Sequence, residues 1–262
     1  MSTTPLSGAG FEIDVFGTTT VRTPGGVLGL DALTPAKPRQ LLEILTLARG
    51  QVVVKPVLAD KLWSGSPPRS WPTTLEGYVA VLRRRVQPGV PGRATIVRTA
   101  PGGYRLDVTR TRIDLDVFDD LSRTVSGPDA LQSLIRAAEL ARRDVLEHER
   151  YAEWPQAVRR DYQRRGVRAA VAAARGALAA ELVDLALDLA GEAVRRDPLA
   201  EDGWQVLIAA HGRAGRSADA ARAFRACARR MDEELGVAPG DRTRRALAIA
   251  LADQPPEPVS AG

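Results

Sequence analysis

The hydrophobic pattern changes character near residue 112, and this change limits the chain to two dissimilar halves. Before that point, strand-like segments alternate with helical ones; "FEIDVFG" places Phe11, Ile13 and Val15 on one face of a strand. After it, the pattern is helical and alanine-rich. A chain of 262 residues is long enough for two domains of ordinary size. We therefore predict a mainly α protein with small β elements.

The predicted first domain, residues 11–112, contains three helices between two hairpins. Turn residues mark the hairpins at Pro24-Gly25-Gly26 and at Ala100-Pro101-Gly102-Gly103. The first helix is expected to have Thr34 as its N-cap, Pro35 as its first residue and Gly50 as its C-terminal cap.

The second helix is predicted in "KPVLADKLW", with Leu58, Leu62 and Trp63 facing inward. A loop rich in Pro, Gly and Ser follows it. The third helix is predicted to start near Pro72 or Thr73 and to end at about Val86.

The third predicted helix has one apolar side and one polar side. At about 100° per residue, its apolar side consists of Leu75, Val79, Leu82 and Val86. The opposite side consists of Thr73, Gly77, Ala80, Val81 and Arg84, flanked by Arg83 and Arg85. Such a helix, followed by a basic hairpin, predicts a winged helix-turn-helix whose last helix enters the major groove of DNA.

Charge supports a polyanionic partner for the first half alone. Residues 1–112 carry 15 Lys/Arg and 7 Asp/Glu, a net of +8, whereas the remainder carries 22 and 25, a net of −3. An arginine run by itself is usually a solvated helix end. The order of elements and the charge together favour double-stranded DNA. The predicted DNA-contacting residues are Thr73, Thr74, Gly77, Tyr78, Val81, Arg83, Arg84, Arg85, Arg98 and Thr99.

The second predicted domain, residues 113–253, matches a tetratricopeptide-like helical repeat of about 34 residues. With Trp204 at position 4 of the unit, Leu207, Ala220 and Phe224 fall at positions that suit the repeat. One period earlier, Ala186 and Pro198 also fit. The alternative is an alanine-rich bundle with chance matches. Segments 1–10 and 254–262 are predicted to be disordered.

No residue pattern predicts catalysis, a cofactor or a metal site. His148 and His211 are predicted to stand alone, without Cys or carboxylate at metal-ligand spacing, and Cys227 falls on a core position of the repeat. No phosphate-binding Gly-Lys-Ser/Thr loop occurs, no apolar run approaches a membrane span, and the N-terminal residues do not resemble a signal peptide. We therefore expect a protein that is not an enzyme and that acts in the cytoplasm, at the nucleoid.

Taken in order, the segments resemble one family, the Streptomyces antibiotic regulatory proteins. The resemblance rests on "PRQLLEILTLARGQVV", "TLEGYVAVLRRRV" and "IVRTAPGGYRLDV", then "IDLDVFDDL", and finally Leu235-Gly236-Val237 with Pro239-Gly240. Members of this family have an OmpR-type winged helix followed by a bacterial transcriptional activator domain, and this chain resembles them in both parts. The resemblance covers roughly residues 11–253.

The resemblance implies a transcriptional activator that binds tandem direct repeats near the −35 element, as a homodimer on DNA. It also implies recruitment of RNA polymerase holoenzyme through the loop Ser64–Trp71, where Ser66, Arg69 and Trp71 would make the contact. Antibiotic biosynthetic gene clusters would be the targets. The alternatives are a winged-helix repressor, or a helical-repeat scaffold for protein interactions with a weakened DNA-binding domain.

Four positions depart from the family pattern. Ala80 and Val81 replace a polar and a cationic groove residue, Ala100 replaces an arginine of the wing, and Val54 replaces a capping Ser or Thr. These changes leave the expected fold intact and alter the expected sequence preference, since Val81 can contact a thymine methyl but cannot bond guanine.

Overall fold

A computed structural model of the protein describes residues 10–124 and 126–252. It forms two compact units: the first comprises residues up to 119 together with 143–162, and the second comprises 120–142 together with the residues from 163 onward. The predicted disordered segments 1–10 and 254–262 lie outside the described residues, apart from Gly10. Among the helices described, none is both long and apolar enough to cross a membrane. The division into domains at residue 112 remains a prediction.

Among its described residues, the first unit contains two small sheets, three α-helices and the first turns of two more. Its strands are β1 (Phe11–Asp14), β2 (Thr20–Thr23), β3 (Gly26–Leu28), β4 (Val53–Val54), β5 (Val97–Ala100), β6 (Gly103–Leu106) and β7 (Thr111–Ile113). Its helices are α1 (Ala36–Leu47), α2 (Lys55–Trp63) and α3 (Trp71–Val86), with the starts of α4 (Asp114–Arg123) and α6 (Gln156–Ala179).

The two predicted hairpins are confirmed. β2 and β3 pair antiparallel, with Thr23 opposite Gly26, within a sheet of order β3-β2-β1-β7. β5 and β6 pair antiparallel, with Ala100 opposite Gly103, within a sheet of order β4-β6-β5. β5 is therefore an edge strand. In β1, Phe11 and Ile13 are buried, as the alternating pattern predicts.

The ends of α1 differ from the prediction. The helix begins at Ala36 with Pro35 as its N-cap, and the Thr34 hydroxyl donates instead to the Asp31 carbonyl oxygen at 2.7 Å. The prediction of Thr34 as N-cap and Pro35 as first helical residue is therefore wrong. At the other end the C-cap is Ala48 rather than Gly50, because Arg49 already takes a left-handed φ of 47°.

The third helix follows its predicted pattern closely. Leu75, Val79, Leu82 and Val86 are all buried, and the helix ends at Val86. It starts at Trp71, slightly earlier than predicted, with a proline in its first turn, where a missing N–H costs nothing. The stripe packs against α1 and α2.

Residues 143–162 belong to the first unit because aromatic and polar side chains hold them there. The rings of Phe16, Phe118 and Tyr162 lie 5.4–5.6 Å apart between centroids. The Arg49 guanidinium bonds both the Tyr162 hydroxyl and Asp119. Arg159 donates to backbone carbonyls of the same segment at 2.8–3.3 Å.

The second unit is all helical. It contains α5 (Ala130–Leu140), α7 (Val183–Arg196), α8 (Glu201–Arg213), α9 (Ser217–Leu235) and α10 (Asp241–Ala252), with the later parts of α4 and α6. Trp204, Ala220 and Cys227 lie in one buried cluster, with Leu207 and Phe224 packed against it. These are the positions that the repeat spacing predicts to be internal. The predicted fold class, a winged helix with a helical domain, is confirmed.

Asp114 is a buried carboxylate at the start of α4. Its Oδ2 accepts the backbone N–H of Val15 at 2.8 Å and of Phe16 at 2.7 Å, which ties α4 to the end of β1. Burial raises the pKa of Asp114 to about 7; the two N–H groups lower it and the nearby Asp14 raises it, both by less. The folded protein therefore retains a proton there that the unfolded chain releases near pH 4.

We predict that this carboxyl makes stability fall as pH rises from about 4 to about 7 and then level off. Asp114→Asn keeps an oxygen acceptor without the charge. Relative to wild type, the free energy of unfolding of the variant should therefore gain about 2–4 kcal/mol between pH 4.5 and 8. Urea denaturation across this pH range measures the gain, and Asp120→Asn on the exposed part of α4 is the control. A difference that stays constant with pH would contradict the assignment.

Candidate nucleic-acid interface

The outer face of α3, opposite its buried stripe, consists of Thr73, Gly77, Ala80, Val81 and Arg84. Four of the five are exposed and Val81 is half-buried. The outer face is exposed because the stripe is buried: a helix that buries one side presents the opposite side to solvent. Small side chains over most of this face allow another molecule to approach the helix backbone closely.

The three consecutive arginines of α3 have three different environments. Arg83 donates from Nε and Nη2 to the Val97 carbonyl oxygen at 3.0 and 2.8 Å. Arg85 donates to the Ala32 carbonyl oxygen at 2.8 Å. Arg84 is exposed and forms no hydrogen bond or ion pair with the part of the chain that the structure describes. Among the three, Arg84 is the guanidinium available to a ligand.

The wing, residues 97–106, consists of β5, β6 and their two-residue turn. Val97 and Leu106 are buried, while Thr99 and Arg105 are exposed. Arg98 is bonded through Nε and Nη2 to Asp107 Oδ2 at 3.0 and 2.8 Å. The Thr109 hydroxyl and this guanidinium hold the pKa of Asp107 below its ordinary value. Arg105 is not among the predicted DNA-contacting residues. The alternation of buried and exposed positions along β6 indicates that it faces outward.

Tyr104 of β6 joins the wing to α2 and α3, because it contacts a side chain of each helix. Its ring is buried, with the Arg83 guanidinium carbon 6.0 Å and the Lys55 Nζ 5.9 Å from its centroid. Lys55 also forms an ion pair with Glu76 of α3, at 2.7 Å. Burial lowers the pKa of Arg83, while the neighbouring Tyr104 raises it by less.

The remaining residues predicted to contact DNA lie on or beside α3. Tyr78 is half-buried and stacks on Trp63 of α2, with ring centroids 5.9 Å apart. Thr74 is half-buried, and its hydroxyl donates to the Ser70 carbonyl oxygen at 3.0 Å. The structure thus brings the predicted DNA-contacting residues together on α3 and the wing, but several already have partners within the protein.

The loop between α2 and α3 is exposed along its whole length, residues 64–70. Ser66 and Arg69 therefore lie on the surface, and Arg69 has no polar partner among the described residues. Trp71, predicted as the last residue of the loop, is instead the first residue of α3 and is half-buried. The residue before it, Ser70, serves as the N-cap position without a side-chain bond to the helix.

His148 has charged neighbours that the sequence analysis did not predict. Its Nε2 lies 2.8 Å from Glu43 Oε1 and 3.9 Å from Glu149 Oε1. Arg39 lies in the same cluster, 2.7 Å from Glu149 and 3.3 Å from Glu43, so one guanidinium forms ion pairs with both carboxylates. The statement that His148 stands alone is therefore wrong in space. More than 100 residues separate it from Glu43, and no local pattern signals such a contact.

Gly103 permits the close pairing of the wing with β4. A Cβ at this position would lie 2.1 Å from the Val53 carbonyl oxygen, nearer than atoms can approach. Gly77, in contrast, has no heavy atom within 4 Å of its would-be Cβ. The fold thus requires glycine at position 103, whereas no described contact within the protein requires glycine at position 77.

We predict opposite effects for alanine at these two glycines. Gly103→Ala should destabilise the protein by about 1–3 kcal/mol, because the added methyl forces β4 and β6 apart. Gly77→Ala should stabilise it by about 0.5–1 kcal/mol, because glycine is unfavourable within a helix. Chemical denaturation of both variants beside the wild type tests the pair. Equal effects of the two substitutions would contradict the described geometry.

A winged helix-turn-helix unit in one chain with a helical repeat unit is the architecture of a class of bacterial transcription regulators. The sequence profile of the bacterial transcriptional activator domain matches residues 107–249. Regulatory protein DnrI of Streptomyces peucetius is 33% identical over 224 residues, which is 79% of this chain and 80% of that protein. The chain therefore belongs to the Streptomyces antibiotic regulatory protein family, as its motifs predicted.

Two further matches agree with this assignment. Transcriptional regulator RedD of Streptomyces coelicolor is 30% identical over 259 residues, covering 93% of this chain and 71% of that protein. The solved structure of Mycobacterium tuberculosis EmbR in complex with a low affinity phosphopeptide superimposes with a TM-score of 0.77. At 23% identity, over 94% of this chain and 66% of that one, this match shows the fold alone.

Proposed function

We propose that the protein is a sequence-specific DNA-binding activator of transcription. In this proposal it binds direct repeats near the −35 element of its promoters and recruits RNA polymerase, for a gene cluster of secondary metabolism. The observation that carries the proposal is the outer face of α3, which is mostly exposed, has small side chains and ends in Arg84, a guanidinium without a partner among the described residues.

The dimensions and charge of this surface suit the major groove. A helix of 16 residues is about 24 Å long, and the major groove, about 12 Å wide, admits one helix. The +8 charge of residues 1–112 favours approach to a polyanion. The exposed Arg105 of the wing is one of these cations, whereas Lys55 is paired with Glu76.

The residues of the outer face differ in what they can recognise. Arg84 can form a bidentate bond with the O6 and N7 atoms of guanine. Ala80 and Val81 offer only methyl groups, which suit the thymine methyl. Thr73, at the start of the helix, can donate to a phosphate oxygen. The expected site therefore combines one arginine-read guanine with neighbouring positions that favour thymine.

Two features support activation rather than binding alone. Residues 107–249 match a domain described as a transcriptional activator domain. The exposed loop 64–70, which directly precedes α3, offers Arg69 to a second protein while α3 occupies DNA. In this proposal the chain is a regulator without a catalytic site, works as a homodimer on tandem sites, and acts in the cytoplasm at the nucleoid.

We predict that the full-length protein selects a direct repeat from a library of random-sequence duplexes. Arg84→Ala should weaken binding to the selected duplex by about 1–3 kcal/mol and relax the preference at one guanine. Binding of the wild type should fall steeply with salt, in proportion to the phosphates contacted. Fluorescence anisotropy titrations at several salt concentrations measure both quantities.

The matched control is Arg123→Ala, which removes an exposed arginine from α4 outside this surface. It should leave the selected sequence and the affinity unchanged. If the wild type selects no sequence, or if Arg84→Ala binds like the wild type, the proposed DNA contact is wrong.

We further predict that Arg69→Ala separates activation from binding. Because Arg69 lies on the exposed loop rather than on the outer face of α3, its loss should leave affinity for the selected duplex within about twofold, which corresponds to about 0.4 kcal/mol. In vitro transcription by RNA polymerase holoenzyme from a promoter carrying that duplex at −35 should fall several-fold. If affinity and transcription both fall, Arg69 contacts DNA. If transcription stays at the wild-type level, Arg69 does not contact the polymerase.

A further inference from the structure

Arg83 extends from α3 toward the wing rather than outward. Its guanidinium donates three hydrogen bonds to β5: two to the Val97 carbonyl oxygen, at 3.0 and 2.8 Å, and one to the Thr99 hydroxyl at 2.9 Å. The same group lies against the ring of Tyr104 on β6. One side chain of the groove-facing helix thus contacts both strands of the wing.

The Val97 carbonyl oxygen lies on the edge strand β5 and bonds no neighbouring strand among the described residues, so side chains are its donors. The Asp107 N–H donates to the Ile96 carbonyl oxygen at 2.8 Å, so the carbonyl of Ile96 faces β6. Successive carbonyls of a strand point in opposite directions, and that of Val97 therefore faces the free edge of β5. Arg83 and the Thr95 hydroxyl donate to it there.

We propose that Arg83 is a positioning residue that fixes the wing against α3, and that it affects DNA binding through the wing rather than by contacting DNA. This inference rests on the proposed DNA-binding function. The bond to Val97 uses Nε and Nη2, the paired donors with which a guanidinium otherwise grips a phosphate. Arg83 and Arg84, adjacent in sequence, therefore have different roles: one orients the wing and the other contacts DNA.

Glutamine separates these roles experimentally. Its side-chain Nε2 is separated from Cα by the same number of bonds as the arginine Nε, so Arg83→Gln can keep one N–H donated to the Val97 carbonyl oxygen. It carries no charge, so at a phosphate it would lose both the charge and the paired bonds of the guanidinium. A positioning role predicts that Gln substitutes for Arg better than Ala does, whereas a phosphate contact predicts that both variants fail.

The first measurement is hydrogen exchange in the DNA-free, full-length protein, followed by mass spectrometry of peptides that cover residues 96–106. Arg83→Ala should speed exchange of these amides at least about tenfold, because the wing opens more often. Arg83→Gln should restore most of the protection, and Arg84→Ala should leave it unchanged. Wild-type exchange rates in Arg83→Ala would overturn the proposal. If that variant does not fold, Arg83→Met, which keeps the aliphatic stem, takes its place.

The second measurement is affinity for the duplex selected by the wild-type protein, at a temperature where every variant is fully folded. Because the wing opens more often in Arg83→Ala, this variant should bind the duplex about tenfold more weakly than the wild type. Arg83→Gln should bind within about threefold of the wild type. Arg84→Ala and Arg84→Gln should both bind at least about fivefold more weakly, since either removes the charge and the bidentate bond. Arg83→Gln binding as weakly as Arg83→Ala would place Arg83 on phosphate and overturn the proposal.

The two measurements keep this inference separate from the proposed function. If the wild type selects no duplex, DNA binding is wrong, but the exchange rates still show whether Arg83 fixes the wing. If the wild type selects a duplex and Arg83→Ala leaves both exchange and affinity unchanged, only the positioning role is wrong.

Discussion

The apolar stripe of α3 is the contact on which the rest of the first unit depends. Leu75, Val79, Leu82 and Val86 are each at most 3% exposed. Burying one such side chain is worth about 1.5–3 kcal/mol, more than the 1 kcal/mol or less of an exposed ion pair. Only one rotation of the helix buries all four. That rotation places Arg84 outward and directs Arg83 to the side where the wing packs.

Local periodicity was enough to predict most of this unit. The positions of both hairpins, the stripe of α3 and its last residue follow from alternation, turn residues and helical spacing within about a dozen residues of chain. The internal positions of the repeat, such as Trp204 and Cys227, follow from the same kind of regularity over one longer period. These features depend on neighbours in sequence, and that is why the sequence alone reveals them.

The side-chain partners could not be predicted in this way. Arg83, Arg84 and Arg85 look alike in sequence, yet Arg83 bonds a residue 14 positions away and Arg85 bonds one 53 positions away. Arg84 bonds no residue that the structure describes. The cluster of His148 with Glu43, 105 residues apart in sequence, depends equally on distant packing. Hydrogen bonds between segments that are far apart in the chain produce no periodic pattern in the sequence. The candidate site was therefore predicted as a surface, while the role of each residue on it required the structure.

The edge position of β5 has a consequence for how the protein behaves at high concentration. An uncovered edge strand is a template on which a strand of another molecule can add, and chains with such edges tend to aggregate. Here the outward carbonyl of Val97 is already occupied by the Arg83 guanidinium and the Thr95 hydroxyl. An incoming strand would have to displace a charged group that holds two hydrogen bonds to that one oxygen. The Arg83 side chain therefore hinders the addition of a further strand at this point of the edge.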